Sequence, residues 1–333
     1  MFYADRSILV TGGTGTIGIP LVRKLVRLGA KVTVASLDGP ERAHALFGDS
    51  VGFLHANLID FSTCMKVTKG QDYVFNLVGI KGSTGIGVAR AASYYVPMLW
   101  FQTNMMEAAF RNGVHRYLFV SSICVYPPSE LHVEDSAWNG LPKQNDRYAG
   151  IAKRVGELQG ETYLHEYEWD AVRIVRPSNV YGPYDDFEPA TAQVIPALIR
   201  RMLDGENPVK VWGDGSAIRD FIYSEDVADG MLLALEKAPP CVPINLGSGI
   251  GYSIKEVAET IAGLMPVSPC IEWDPSKPTG DRIRRLSMAR AKELLGFEIA
   301  TPLTMGLRKT IEWYRSNRED TSQRVGGLGR LSA

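Results

Sequence analysis

The chain has 333 residues, 45% hydrophobic and 22% charged, with a formal net charge of -1. That length supports one large or two modest domains, and the balanced charge offers no basic excess for nucleic-acid phosphates. No apolar run approaches about 18 residues, and MFYADRSILV at the N-terminus has no charged segment leading into an apolar one, so a cytoplasmic protein without a membrane span is expected.

In chain order, Ile8, Leu9 and Val10 read as a buried strand. TGGTGTIG follows, placing Gly12, Gly15 and Gly18 on a turn. IPLVRKLVRLG then carries Ile19, Leu21, Val22, Leu25, Val26 and Leu28 at helical spacing. At a strand-to-helix turn, glycines let backbone amides approach a pyrophosphate, and the helix N-terminus adds unpaired N–H groups and positive dipole character. Lys31 to Ser36 reads as a second strand, VGFLHANL as a third, DYVFNLVG as a fourth and Tyr117 to Ser122 as a fifth. Trp169 to Gly182 contains a sixth. Strands alternating with helices predict an α/β fold: a Rossmann-type doubly wound parallel sheet, with ligands at the carboxyl ends of its strands.

Beyond Gly182 the texture changes. PYDDFEPATAQ is loop-like, VIPALIRRMLDG is helical, and short strands are expected around Gly213 and Gly215. SIKEVAETIAGLM and TPLTMGLRKTIEWYRSN are further helices. A smaller α/β substrate-binding C-terminal lobe is therefore predicted from about 179–218 plus 248–317, alternating with a dinucleotide-binding domain of 1–178 plus about 219–247. The polar, Gly-rich tail 318–333 reads as disordered. The scattered cysteines Cys64, Cys124, Cys241 and Cys270 form no C-x-x-C pair, and the five histidines show no ligand spacing, so no metal is expected.

Four more motifs follow the glycine turn: SSICVY (Ser121 to Tyr126), YAGIAKRVGE (Tyr148 to Glu157), RPSNVYGPYDDF (Arg176 to Phe187) and WGDGSAIRDFIYSEDVA (Trp212 to Ala228). Together with TGGTGTIG this set resembles the extended short-chain dehydrogenase/reductase family, whose members act on nucleotide-linked sugars. Within it, NVYGPYDDFEP, VIPALIRR and DPSKPTGD are similar to the GDP-L-fucose synthase branch. The resemblance spans about Ile8 to Asn317.

The resemblance implies hydride transfer between C4 of a nucleotide sugar and a nicotinamide, with a tyrosine exchanging the C4-oxygen proton, a lysine favouring its phenolate and a serine orienting the oxygen. It assigns the serine to Ser122 and the lysine to Lys153. The family spacing is Tyr-x-x-x-Lys, which sets the two side chains one turn apart. Here Ala149 holds the tyrosine position, and Tyr148, five residues before Lys153, lies about 140° away on a regular helix. One resolution is a π-bulge or irregular first turn near Gly150 that would bring Tyr148 to the substrate. The other leaves the proton to Ser122, water or another group.

In the fucose synthase branch a cysteine and a histidine exchange protons at C3 and C5. The cysteine position is Cys124; the histidine position is Gln193, whose amide does not titrate near neutrality and cannot serve as a general acid. C4 oxidation or reduction without full 3,5-epimerisation is therefore expected, with 4-epimerisation or noncatalytic nucleotide-sugar binding as alternatives.

By family position, cofactor contacts fall on Gly12, Gly15, Thr16, Ile17, Gly18, Ser36, Asp38, Asn57, Leu58, Leu77, Val78, Lys153 and Pro177. Ser36 leaves room for the 2′-phosphate of NADP, but Asp38 and Glu41 repel it with only Arg42 to offset them, so the local charges lean toward NAD, although the fucose synthase likeness implies NADPH. Nucleotide-sugar contacts fall on Asn179, Gln193, Val194, Arg201, Trp212, Arg219 and Arg284. Guanidinium forks suit a diphosphate. A GDP-sugar substrate and a homodimer follow by resemblance, with no nucleic-acid or membrane partner.

Overall fold

A computed structural model of the protein describes residues 1–80, 90–277 and 279–318. Its larger sheet has seven strands: β1 (Ser7–Thr11), β2 (Lys31–Ser36), β3 (Gly52–His55), β4 (Tyr73–Asn76), β5 (Arg116–Val120), β7 (Val172–Pro177) and β11 (Pro243–Leu246). Their spatial order is β11-β7-β5-β4-β1-β2-β3, and every pairing is parallel. The chain reverses its direction of travel across the sheet between β1 and β4, which opens a crevice at their carboxyl ends. The six strands read from the sequence all lie in this sheet. The seventh, β11, is the short run PINL beside Pro239 and Pro240, and its pattern does not announce a strand.

Helices cover both faces, as a parallel sheet with two apolar surfaces requires. α1 (Gly18–Arg27) buries Ile19, Leu21, Val22 and Leu25. α2 (Pro40–Phe47) and α3 (Phe61–Thr68) follow. α4 (Ala91–Arg111) packs against α5 (Arg147–Tyr167), the helix that carries Lys153. α6 (Val194–Leu203) opens the smaller lobe, and α7 (Ser224–Lys237) returns to pack on α1. α7 buries Val227, Ala228, Met231, Leu232, Ala234 and Leu235. So wide an apolar surface blurs its helical period and hid it from the sequence reading.

The smaller lobe holds β10 (Ile218–Tyr223), paired with β8 (Asn179–Tyr181), β12 (Gly251–Ser253) and β14 (Ile283–Leu286). β14 also pairs with β6 (Leu131–His132). β9 (Val209–Trp212) and β13 (Ile271–Asp274) form a separate pair. β10 falls within the stretch that the sequence reading grouped with the larger domain, yet its partners all belong to the smaller sheets. α8 (Ile254–Gly263) starts at a capping box in which the Ser253 hydroxyl accepts from Glu256 N at 3.1 Å and Ser253 N donates to the Glu256 carboxylate at 2.7 Å. α9 (Ala289–Leu295) and α10 (Leu303–Ser316) close the chain. The expected disordered tail lies outside the described residues from 319 onward.

Candidate active site

A cavity of about 1500 Å³ runs from the carboxyl ends of β1, β2 and β4, past β5, to the smaller lobe. At one end is the glycine turn. Gly12 has φ +66°, and its N–H donates to Ala35 O at 2.8 Å, tying the turn to β2. A Cβ on Gly18 would lie 2.4 Å from Gly12 O and 2.6 Å from Gly13 Cα, so only glycine lets α1 start this close to the strand. No side chain caps α1 and no acidic residue occupies its first turn, which leaves the positive end of its dipole unopposed for an anion. These features fit a dinucleotide pyrophosphate.

Beside the turn, at the end of β2, Thr14 Oγ1 donates to the Asp38 carboxylate at 2.5 Å and shares a hydrogen bond with Ser36 Oγ at 2.9 Å. Arg42 pairs with Asp38 at 3.4 Å. The side-chain oxygen of Asn57 accepts from Ile59 N at 3.2 Å, within its own turn. Leu58 is buried, and Leu77 and Val78 continue the wall.

Midway, Ser122 follows β5 in extended conformation, and its hydroxyl accepts from Cys124 N at 3.2 Å. Lys153 reaches back from α5, donates to Val120 O at 2.8 Å and sits 5.2 Å above the centre of the Phe119 ring. Burial pushes its pKa down to about 8. Behind it lies a buried network. Glu157 pairs with Arg176 at 2.6 Å and accepts from Ser121 Oγ at 2.5 Å, while Arg176 donates to Tyr126 OH at 3.0 Å and Glu134 O at 2.8 Å.

The far end carries two arginines side by side, because Arg219 and Arg284 are register partners in the parallel β10–β14 pair. Arg284 binds the Asp146 carboxylate at 2.8 Å and donates to Ile123 O at 3.1 Å. Arg219 donates to Asp281 O at 2.6 Å and Thr279 O at 3.0 Å. Arg201 donates to Glu206 and Lys210 O, and Asn179 donates to Asp220 O at 2.8 Å. Trp212 is exposed on the wall, and Gln193 stands at the N-cap of α6, one residue before Val194.

A family model for the NAD dependent epimerase/dehydratase family matches residues 8–247. The chain belongs to that family. It is 33% identical to a GDP-L-fucose synthase of Escherichia coli, over 95% of this chain and 98% of the other. It is 29% identical to a dTDP-4-dehydro-6-deoxy-D-allose reductase of Streptomyces bikiniensis, over 94% and 97%. The crystal structure of a UDP-glucose 4-epimerase from Thermotoga maritima with UDP-glucose superposes with a TM-score of 0.81 at 28% identity, covering 94% of this chain and 99% of that one.

As a member of the epimerase/dehydratase family, the protein is an NAD(P)-dependent enzyme, and all the residues singled out in its sequence for cofactor, catalysis and nucleotide sugar line this one cavity. Of the two resolutions left open for Tyr148, the structure lacks the bulge. α5 is regular α-helix over Arg147–Tyr167, preceded by a 3-10 turn at Gln144–Asp146, and contains no π-bulge. Ala149 therefore shares the Lys153 face, and Tyr148 stands 42% exposed at the cavity lip with its ring 6.2 Å from that of Tyr95. Three wall residues escaped sequence reasoning. Lys143 pairs with Asp281 at 2.7 Å beside Arg219, and Asp146 holds Arg284. Asp281 closes the DPSKPTGD segment but carries no assigned role there, and Lys143 and Asp146 sit in no motif; only the convergence of distant segments marks them. Among the described residues no cluster of ligating side chains could hold a metal ion, and no helix is long and apolar enough to cross a membrane.

Proposed function

We propose that the protein is a nucleotide-sugar oxidoreductase that acts at C4 of the sugar, on a GDP-linked hexose or heptose, without full 3,5-epimerisation. The observation that carries this reading is the placement of Ser122 and Lys153 at the end of β5, between the glycine turn and the Arg219–Arg284 pair. A dinucleotide on the turn supplies a nicotinamide that gives or takes hydride. Ser122 is positioned to donate a hydrogen bond to the C4 oxygen. The Lys153 ammonium stabilises negative charge developing there. Arg219 and Arg284 face the sugar end of the cavity, where guanidinium groups suit phosphate oxygens. Relatives named GDP-L-fucose synthase at 30–33% identity support guanine as the base, and Gln193 in the histidine position supports the limit on epimerisation.

Mass spectrometry of the cofactor and nucleotide bound to the purified protein, followed by a panel of nucleotide sugars in deuterated water, tests the reading. Net reduction or oxidation at C4 is expected. Deuterium gained at both C3 and C5 would sink the epimerisation limit. A 4-epimerase is the second reading, favoured by the likeness to the UDP-glucose 4-epimerase; turnover with retained cofactor and no net redox change would select it. A pure binding protein would turn over no member of the panel.

We favour NAD. The Asp38 carboxylate lies at the end of β2, where an adenine ribose hydroxyl can donate to it, and a 2′-phosphate would meet its charge. Asp38→Asn is expected to improve NADP affinity about tenfold, equivalent to about 1.4 kcal/mol. Titration of both cofactors checks this, and an unchanged NADP affinity would count against Asp38 as the selector.

A homodimer accounts for one apolar patch of the surface, on α4 and α5. Tyr148, Val155 and Leu158 form a helical stripe on α5, 38–47% exposed, beside Trp100 on α4 at 51%. A two-fold pairing of α4 and α5 with a second copy covers the α5 stripe and Trp100 at once. Sedimentation as a monomer at micromolar concentration would remove this proposal.

A further inference from the structure

On the helix that carries Lys153, Tyr148 stands at the cavity lip, off the Lys153 face, and the register of the helix is fixed by glycines. A Cβ at Gly150 would lie 2.1 Å from Cys124 O, one at Gly156 2.2 Å from the Phe119 ring and one at Gly160 2.9 Å from Val172. Shifting Tyr148 into the place of Ala149 would shift Ala149 into the place of Gly150 and drive its methyl carbon onto the Cys124 carbonyl. Tyr148 is held at the lip by packing, and the cavity face of α5 one turn before Lys153 carries only a methyl group.

Cys124 lies on this side of the cavity. It belongs to the 3-10 turn Ile123–Val125 that follows Ser122, and it is half-buried on the cavity wall. Two cations bracket its turn. Arg284, held by the Asp146 carboxylate at 2.8 Å, donates to the carbonyl of the preceding residue, Ile123, at 3.1 Å, and Lys153 donates from α5 to Val120 O at 2.8 Å on the other side of Ser122. Among the described residues Tyr94 of α4 also lines this part of the cavity, and its hydroxyl donates to Ile80 O at 2.5 Å.

We propose that the Cys124 thiol, flanked by Lys153 and Arg284, exchanges the proton of the C4 oxygen in place of the missing tyrosine. This rests on the C4 chemistry proposed above. In the reducing direction C4 accepts hydride from the reduced nicotinamide cofactor, the carbonyl π pair moves to O4, and O4 takes the proton from Sγ. The S–H bond breaks as the O–H bond forms. Sulfur keeps the electron pair as a thiolate beside the two cations and regains a proton from water. Oxidation of the alcohol runs the same transfers in reverse, and sulfur is neither oxidised nor reduced. Burial and the Asp146 carboxylate push the thiol pKa up, outweighing Arg284, so the group is protonated before reduction, the state a donor needs.

Cys124→Ala is expected to cut turnover about 100-fold or more, a typical share for one acid/base group, while cofactor and nucleotide-sugar affinities stay within about threefold. Adding Ala149→Tyr to that variant puts a phenol one turn from Lys153 and is expected to restore at least about tenfold. Independently of turnover, alkylation of wild-type Cys124 by iodoacetamide, read by peptide mass, is expected to slow when the nucleotide sugar is bound. If Cys124→Ala does not fold, as judged by lost cofactor binding, Cys124→Ser decides with the same expected loss. Turnover by the folded variant within about threefold of wild type, or alkylation unaffected by the sugar, overturns the inference. Wild-type protein that binds a nucleotide sugar, protects Cys124 and yet performs no C4 chemistry strikes the proposed reaction instead.

Discussion

Lys153→Met is expected to lower turnover about 1000-fold while leaving the protein as stable at pH 7 as before, or more so. The side chain is 8% exposed, and burial holds its pKa at about 8 against an ordinary 10.5. Keeping the ammonium charged at neutral pH therefore costs about 3 kcal/mol. The hydrogen bond to Val120 O returns about 1–2 kcal/mol of that, and methionine forfeits it while filling nearly the same volume. The linkage sign follows from the folded pKa lying below the unfolded one. Between about pH 8 and 10.5 the unfolded chain binds more protons, so stability contributed by this group rises with pH across that window. Urea unfolding at several pH values reads both effects: the wild type should show the rise and the variant should lack it. A variant that keeps turnover would remove Lys153 from the chemistry, and one destabilised by more than about 2 kcal/mol would mean the ammonium contributes net stability.

Glu157→Ala is expected to cost about 3–5 kcal/mol of stability, the largest effect of any single truncation in this site. Glu157 and Arg176 are 2% and 1% exposed, and their carboxylate and guanidinium meet in two hydrogen bonds of 2.9 and 2.6 Å. Burial works against the Arg176 cation, and the Glu157 carboxylate more than offsets it, so its pKa stays above the ordinary range. Removing the carboxylate leaves a cation with only Tyr126 OH and Glu134 O as acceptors. It also frees Ser121, the neighbour of Ser122, so α5 loses one of its links to the end of β5 and keeps the Lys153–Val120 hydrogen bond. Against a typical total of about 5–15 kcal/mol, the variant should unfold at a far lower urea concentration. Replacing both residues with methionine should recover most of the loss, because the pair's attraction mainly offsets its own desolvation. A single-variant loss below about 1 kcal/mol would mean that water reaches Arg176.

Much of this was legible in the sequence because it is local. Gly12 takes φ +66°, and a Cβ on Gly18 would strike Gly12 O within the same turn, so both glycines mark it without help from the rest of the chain. Helical spacing likewise places Ala149, and not Tyr148, on the Lys153 face. A π-bulge that would bring Tyr148 to the Lys153 face finds no room, because the shift would carry a methyl carbon to the Gly150 position, where a Cβ would lie 2.1 Å from Cys124 O. The strand β11 and the helix α7 were harder. A four-residue strand flanked by prolines and a helix apolar around most of its circumference lack the periodicity on which such readings depend.

By itself, then, the sequence determined the glycine turn, the parallel sheet that follows from alternating strands and helices, and the positions of Ser122 and Lys153 at the end of β5 and on the next helix. Each depends on backbone preferences over a few neighbouring residues. Only the tertiary structure decided what surrounds the reacting atom. Arg284 meets the Cys124 turn from 161 residues away, and Asp281 meets Lys143 and Arg219 from separate loops. The physical reason is that such contacts are fixed by how strands register and lobes pack, while spacing along the chain constrains them only weakly.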